Sequence, residues 1–390
     1  MKELLASKIA QKILTDFFQS GRLKQGDRLP RLGELAEKYD ASIATVAHAV
    51  GQLQALGYVR KGGDRRAYVN LTALNNGGRT AGGTIGLVIP GDGHARLLMW
   101  IYEGAQRACQ YYGLSLTMAS TGSFFAERER EVVASMYESG CQAIILTPGI
   151  RTESEIANDY LNREFLDIPI VLVDMAFPQQ RRSQVVFDNF ASGFAMTQLL
   201  LSKGHSKIVF MTVLGCPEKM MWRSNLDRYQ GYLAALRYAG IAPDAKLQWH
   251  CNPRRPAFLE EEIQDWLLNW KKTPKSERAT AVIALDDMTA ITFVSEAIEA
   301  GIAVPEDLIV VGFDNTSEVP PIRREYYTTK PDFAAAGEKA VHLAMQHLNG
   351  EIDSPVVYIL PAPVVRRTRR EVEIVRIPTI AAQAAALNEP

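Results

Sequence analysis

The chain has 390 residues, more than one ordinary hydrophobic core organises, so at least two domains are expected. Hydrophobic residues at 47% and charged residues at 22% exclude a disordered or fibrous chain. The net charge of −1 hides an asymmetry: residues 1–70 hold 12 Lys/Arg against 7 Asp/Glu, the remainder 31 against 37. A small basic head on a larger acidic body suits a nucleic-acid module joined to something else.

The apolar runs, such as 84–90 and 143–147, are strand-sized and far short of a bilayer span. Lys2, Glu3, Lys8, Lys12 and Asp16 interrupt what would be the apolar core of a leader, so a cytoplasmic protein without a membrane partner is expected. Cys109, Cys141, Cys216 and Cys251 lack the spacing of a zinc or redox site and read as free thiols. The six histidines form no metal-ligand pattern. Gly91-Asp92-Gly93 lacks the third glycine of a dinucleotide fingerprint, and no phosphate loop or nucleophile constellation is present. No cofactor, no metal and no enzymatic activity are therefore expected.

In chain order, Leu4, Leu5, Ile9, Ile13 and Phe17 predict a helix over 2–19, stopped at Gly21. Pro30 fits the first turn of a second helix that turns Leu32, Leu35 and Ala36 inward and ends near Tyr39-Asp40. Ser42 is the expected N-cap of a third helix, with Val46, Val50, Leu53 and Leu56 as its buried stripe and Gly57 as its stop. Residues 58–60 and 66–69, joined through a turn at 61–64, read as a two-stranded wing. Two helices and a tight turn followed by a hairpin place the third helix where it can enter a major groove. Its exposed face is expected to hold Ile43, Ala44, Thr45, Ala47 and His48, with Arg60, Lys61, Arg65 and Arg66 of the wing directed to the phosphates or the minor groove.

The run Gly26-Asp27-Arg28-Leu29-Pro30, Glu34-Leu35-Ala36, Ser42-Ile43-Ala44-Thr45-Val46, Ala49-Val50, Leu53 and Gly57 resembles the GntR-family winged helix over residues 4–69. The resemblance implies DNA contacts from Arg28, Arg31, Ser42, Ile43, Thr45 and His48, beside the wing residues. Three positions depart from the family: Gly33 stands where members carry Arg, and Ile43 and Ala47 stand where members are basic. Ile43 suits a thymine methyl, so an atypical operator is expected. A helix-turn-helix kept for protein contacts is the competing reading.

Residues 71–83, with Asn75-Asn76-Gly77-Gly78 and Gly82-Gly83, read as a linker. From Thr84 on, strand-like runs (84–90, 114–119, 143–147, 168–174, 185–188, 207–212, 246–250, 281–285, 308–313) alternate with helical ones (99–112, 127–139, 152–164, 191–203, 229–239, 260–271, 288–300). That grammar predicts parallel sheets covered on both faces, with a ligand outside the carboxyl ends of the strands. Asp92, Thr147, Asp174, Asp286, Asp287 and Asp314 follow those strands directly.

The segments Ile168-Pro169-Ile170-Val171-Leu172-Val173-Asp174, Lys203-Gly204-His205-Ser206-Lys207-Ile208, Arg228-Tyr229-Gln230-Gly231-Tyr232 and Val311-Gly312-Phe313-Asp314-Asn315 resemble the LacI/GalR effector domain. The likeness spans roughly 84–370. It implies an α/β fold of two periplasmic-binding-protein-like lobes, one of 84–189 with 331–350 and one of 190–330 with 351–370. Residues 371–390 are left as a tail.

Position by position, the likeness implies ligand contacts at Asp174, Arg228, Asp286 and Asp314. The alternative for Asp174, Arg228 and Asp314 is a hinge or inter-lobe ion pair. Asp92 and Trp222 are further candidates, Trp222 either stacking on a sugar or packing its loop; Phe124 and Phe177 also lie in loops. The expected protein is a ligand-responsive repressor with operator DNA, a small sugar and a second copy of itself as partners. The alternative is a cytoplasmic sugar- or nucleobase-binding protein without DNA regulation.

Overall fold

The computed structural model describes residues 2–13, 16–17, 22–23, 27–55, 59–61, 67–69, 83–91, 95–122, 126–148, 157–174, 177, 179–213, 223–251, 259–315, 326–368 and 372–375. The head comprises α1 (Lys2–Ile13), α2 (Leu32–Lys38), α3 (Ile43–Ala55), β1 (Val59–Lys61) and β2 (Ala67–Val69). Ile9, Ile13, Leu35, Val46, Val50 and Leu53 form its core, as the helical spacing predicts, joined by Ala49 and Val59, whereas Leu32, expected to face inward, is exposed. Pro30 does not enter the second helix: Arg31 is the residue that caps it, its backbone N–H donating to Glu34 Oε2 at 3.1 Å. β1 and β2 pair antiparallel, and Leu29 N–H donates to the Ala67 carbonyl, so the segment before α2 becomes part of the wing.

The body begins with β3 (Thr84–Ile89), α4 (Ala95–Tyr112), β4 (Ser115–Ser120), α5 (Ala126–Glu138), β5 (Ala143–Leu146), β6 (Ile170–Asp174) and β7 (Ser183–Phe187). It continues through α6 (Asn189–Ser202), β8 (Ile208–Val213), α7 (Arg223–Tyr238), β9 (Gln248–Cys251), α8 (Leu259–Lys272), β10 (Ala281–Ile283), α9 (Asp287–Glu299) and β11 (Ile309–Val311). The last elements are β12 (Tyr326–Thr329), α10 (Phe333–Leu348), β13 (Val357–Leu360), β14 (Val364–Arg367) and β15 (Val372–Ile374). One six-stranded sheet runs β13-β7-β6-β5-β3-β4 and a four-stranded one β11-β10-β8-β9, all parallel within each sheet. Apolar strands buried end to end, such as Ala143–Leu146, require cover on both faces, and the helices supply it.

Two expectations need correction. Residues 351–360 do not join the second lobe: Val357–Leu360 pairs in register with Gln184–Phe187 of the first sheet. Only β14 crosses over, pairing antiparallel with β12 and with β15 in a separate three-stranded sheet. The helix expected over 152–164 is, in its described part, a 3₁₀ segment at Ala157–Asn162. Arg182 lies at its end: the buried guanidinium donates to the carbonyls of Leu161, Glu164, Phe165 and Ile168, which satisfies backbone groups where regular helix is absent.

Three strands of chain pass between the lobes, and hydrogen bonds bind them together. Asp188 N–H donates to Leu360 O, Lys330 N–H to Pro363 O, and Ser192 Oγ to Ala362 O. Each lobe also holds one helix crossing at backbone contact. In the first, a Cβ on Gly104 would lie 1.8 Å from the Ala334 carbonyl, so α4 and α10 can touch only with glycine there. Among the described residues no helix is long and apolar enough to cross a membrane.

Candidate functional site

On α3, Ser42 caps the helix as expected: its Oγ accepts from Thr45 N–H at 3.1 Å and lies 2.7 Å from Thr45 Oγ1. Ile43, Ala44, Ala47 and His48 are exposed and Thr45 is half-buried, so the third helix presents the face that its periodicity predicts. Arg31 is exposed, and Arg28 lies over the Tyr68 ring of the wing at 5.7 Å. Arg60 and Lys61 belong to β1, while Arg65 and Arg66 lie outside the described residues.

The second cluster forms where the two parallel sheets end. Asp174 closes β6 and Asp314 follows β11, and both adopt left-handed backbone, φ 86° and 87°. Non-glycine residues enter that region at a cost of about 1 kcal/mol or more, so its use at matching strand ends in both lobes points to a positional demand. Arg228, on α7, binds Asp314 directly. Its Nη2 donates to Asp314 Oδ1 at 2.6 Å, Nε to Asn189 Oδ1 at 2.9 Å, and Nη1 to the Leu285 carbonyl at 3.2 Å. The guanidinium also lies 4.4 Å from the centre of the Phe313 ring. Every nitrogen of the fork is thus engaged, and the buried pair is hydrogen-bonded well enough to tolerate desolvation.

Arg228 reaches this place because α6 and α7 meet at backbone contact. A Cβ on Gly193 would lie 2.0 Å from the Arg228 carbonyl, and one on Gly231 would lie 2.1 Å from the Phe190 carbonyl. Asp174 keeps partial exposure as a residue, but its carboxyl group is enclosed. Burial first, then the facing Asp314, push it up to about 7, and Arg228 only partly offsets them.

Asp286 has a second task that the sequence reading did not assign. Its Oδ1 accepts from Thr289 N–H at 2.7 Å and caps α9. Asp287 is fully buried and accepts from the Tyr326 hydroxyl at 2.7 Å, a structural bond behind the strand end. Phe177 packs against the first-lobe core and exchanges backbone hydrogen bonds with the Gln184 amide. Asp92, Phe124 and Trp222 lie outside the described residues.

The sequence reading missed Asn225 and Asn189. Asn225 is 4% exposed, and neither its amide nitrogen nor its oxygen has a hydrogen-bond partner among the described residues. Thr147, 3% exposed at the end of β5 beside β6, has an unpartnered hydroxyl as well. Buried polar groups left so cost about 1–3 kcal/mol each, which calls for a partner from outside the chain, water or ligand. The available signal was spacing: Asn225 stands three residues before Arg228 on one helix, hence on the same side. Among the described residues no group of His, Cys, Asp and Glu is arranged to hold a metal ion.

A winged helix-turn-helix followed by two parallel-sheet lobes, whose strand ends converge on carboxylates and an arginine, defines a DNA-binding regulator with a small-molecule cleft. Residues 5–69 match the bacterial regulatory proteins of the gntR family, and residues 197–368 match the periplasmic binding protein-like domain. The chain is accordingly a GntR-type DNA-binding head joined to a periplasmic-binding-protein-like effector domain, a transcriptional regulator. It is 24% identical over 372 residues to the arabinose metabolism transcriptional repressor of Geobacillus stearothermophilus, covering 93% of this chain and 97% of that protein. It is 27% identical over 301 residues to the transcriptional regulator AscG of Escherichia coli, covering 74% and 82%. Among solved structures, the transcriptional regulator CelR–cellobiose complex superposes with a TM-score of 0.59 at 19% identity, over 89% of this chain and all of that one.

Proposed function

We propose that this chain is a repressor whose hold on operator DNA is switched by a small sugar bound between the two lobes. The observation that carries the reading is that Asp174 and Asp314, one from each lobe and both in left-handed backbone, stand in one electrostatic field with Arg228, which binds Asp314. Carboxylates accept from paired hydroxyls, while Asn225 and Thr147 offer further donors and acceptors within a buried setting. The second carboxylate oxygen of Asp286, and Asp92 and Trp222, extend the same contact set. The cellobiose carried by the CelR structure agrees with a sugar here.

The chain divides into the DNA-binding head at 1–70, a linker at 71–83, the effector domain at 84–370 and a tail. Two copies associate through the effector domain, because a helix-turn-helix reads paired half-sites. Arg28, Arg31, Arg60, Lys61, Arg65 and Arg66 meet the phosphates while Ser42, Ile43, Thr45 and His48 face the bases. The protein works in the cytoplasm and performs no catalysis. A thermal-shift screen of mono- and oligosaccharides tests the ligand half of this reading. One sugar at 100 times its Kd should stabilise the protein by about 2.7 kcal/mol. A flat response to the whole panel would remove sugars from the account.

A further inference from the structure

From Ala41 to Val59 the sequence contains no Asp, Glu, Lys or Arg. The whole of α3 lies inside that stretch, so the helix that faces the DNA carries no formal charge. Bidentate recognition of guanine needs the fork of an arginine or the ammonium of a lysine, and neither is available on this helix. At the helix tip the polar side chains are already engaged: the Ser42 and Thr45 hydroxyls lie 2.7 Å apart, and Ser42 Oγ also accepts the Thr45 amide. Between them Ile43 stands 59% exposed, a large apolar side chain where burial elsewhere in the head was available to Val46 and Val50. Its only exposed companion with a ring nitrogen is His48, one turn further on.

We propose that this helix reads thymine methyl groups, with Ile43 as the residue that determines specificity, and that the operator half-site is therefore centred on A·T pairs. The proposal rests on the DNA-binding reading given above and adds what that interface recognises. The C5-methyl of thymine is the one apolar group that a base pair shows in the major groove, and an exposed isoleucine gains by covering it. The flanking basic residues supply the sequence-independent attraction to phosphate, so affinity and specificity are separated along the chain.

The experiment uses the full-length protein and a randomised duplex library. Selected duplexes should carry thymine at fixed positions in each half-site. Replacing one such thymine by deoxyuridine removes only the methyl and should weaken binding about fourfold, the worth of one buried carbon. Ile43→Ala should weaken the thymine duplex to the same degree, bind thymine and deoxyuridine duplexes equally, and leave the salt dependence unchanged. Because Ile43 is exposed, that variant keeps the fold, and an unaltered melting temperature checks it. Selection of guanine-rich sites indifferent to deoxyuridine would overturn the proposal while leaving the DNA-binding reading intact. A deoxyuridine penalty that persists undiminished in Ile43→Ala would overturn the role of Ile43. Failure to retain any duplex at moderate salt would overturn both.

Discussion

The two lobes repeat one plan and differ in how much of the site each completes alone. Each has a parallel sheet, an aspartate in left-handed backbone at a strand end, and a pair of helices touching through glycine. The second lobe assembles most of its half: Arg228 is bound to Asp314 and Leu285 of that lobe and to Asn189 at the start of α6, where the chain crosses into it. The first lobe contributes Asp174, whose carboxyl group is raised by its burial first and then by Asp314 of the other lobe, with Arg228 offsetting in part. One lobe is preorganised, then, while the other meets its electrostatic partners only across the cleft. A ligand that alters that meeting shifts the balance between lobe arrangements, which is what a switch requires.

The largest test of the comparison is Arg228→Ala. It strands the buried Asp314 carboxylate and should cost about 3–5 kcal/mol of effector-domain stability, read by denaturant unfolding. A loss below about 1 kcal/mol would mean that the second lobe is not preorganised around this pair.

Next come the matched substitutions Gly104→Ala and Gly193→Ala. Each places a methyl against a carbonyl at about 2 Å and should cost about 1–3 kcal/mol. Only Gly193→Ala displaces the backbone of Arg228, so only it should also change the Kd for effector. Equal effects on ligand binding would break the distinction between the lobes.

The last test concerns Asp174. Its carboxyl is raised in the folded state, so the native protein holds this proton more tightly than the unfolded chain does. Its contribution to stability therefore falls as pH rises from the unfolded value near 4 to about 7. Asp174→Asn, neutral throughout, should match the wild type near pH 4 and gain on it progressively up to pH 7. A difference in Tm that stays flat across that window would place Asp174 outside the shared field of Asp314 and Arg228.

Much of this architecture was legible in the residues. The alternation of strand and helix located the sheets, because buried parallel strands have few other ways to read, and the short motifs picked out Asp174, Arg228 and Asp314 near their ends. The stripe of Val46, Val50 and Leu53 likewise fixed which face of α3 is exposed. What escaped depended on partners distant in the chain. Arg182 binds carbonyls around the end of the 157–162 segment, up to 21 residues away, bonds that local periodicity cannot announce. The return of Val357–Leu360 to the first sheet is decided by pairing with Gln184–Phe187, far back in sequence. Asn225 is significant through its lack of partners, and Asp286 proves to cap a helix as well as to line a strand end.

The central claim is that DNA binding and ligand binding are coupled in one chain. The direct measurement is a mobility-shift titration of the full-length protein on its selected duplex, with and without the sugar that raises its melting temperature. The account predicts that the sugar changes the DNA Kd by about 5- to 150-fold, the usual range of such couplings. A DNA Kd that is identical at zero and saturating sugar would contradict it.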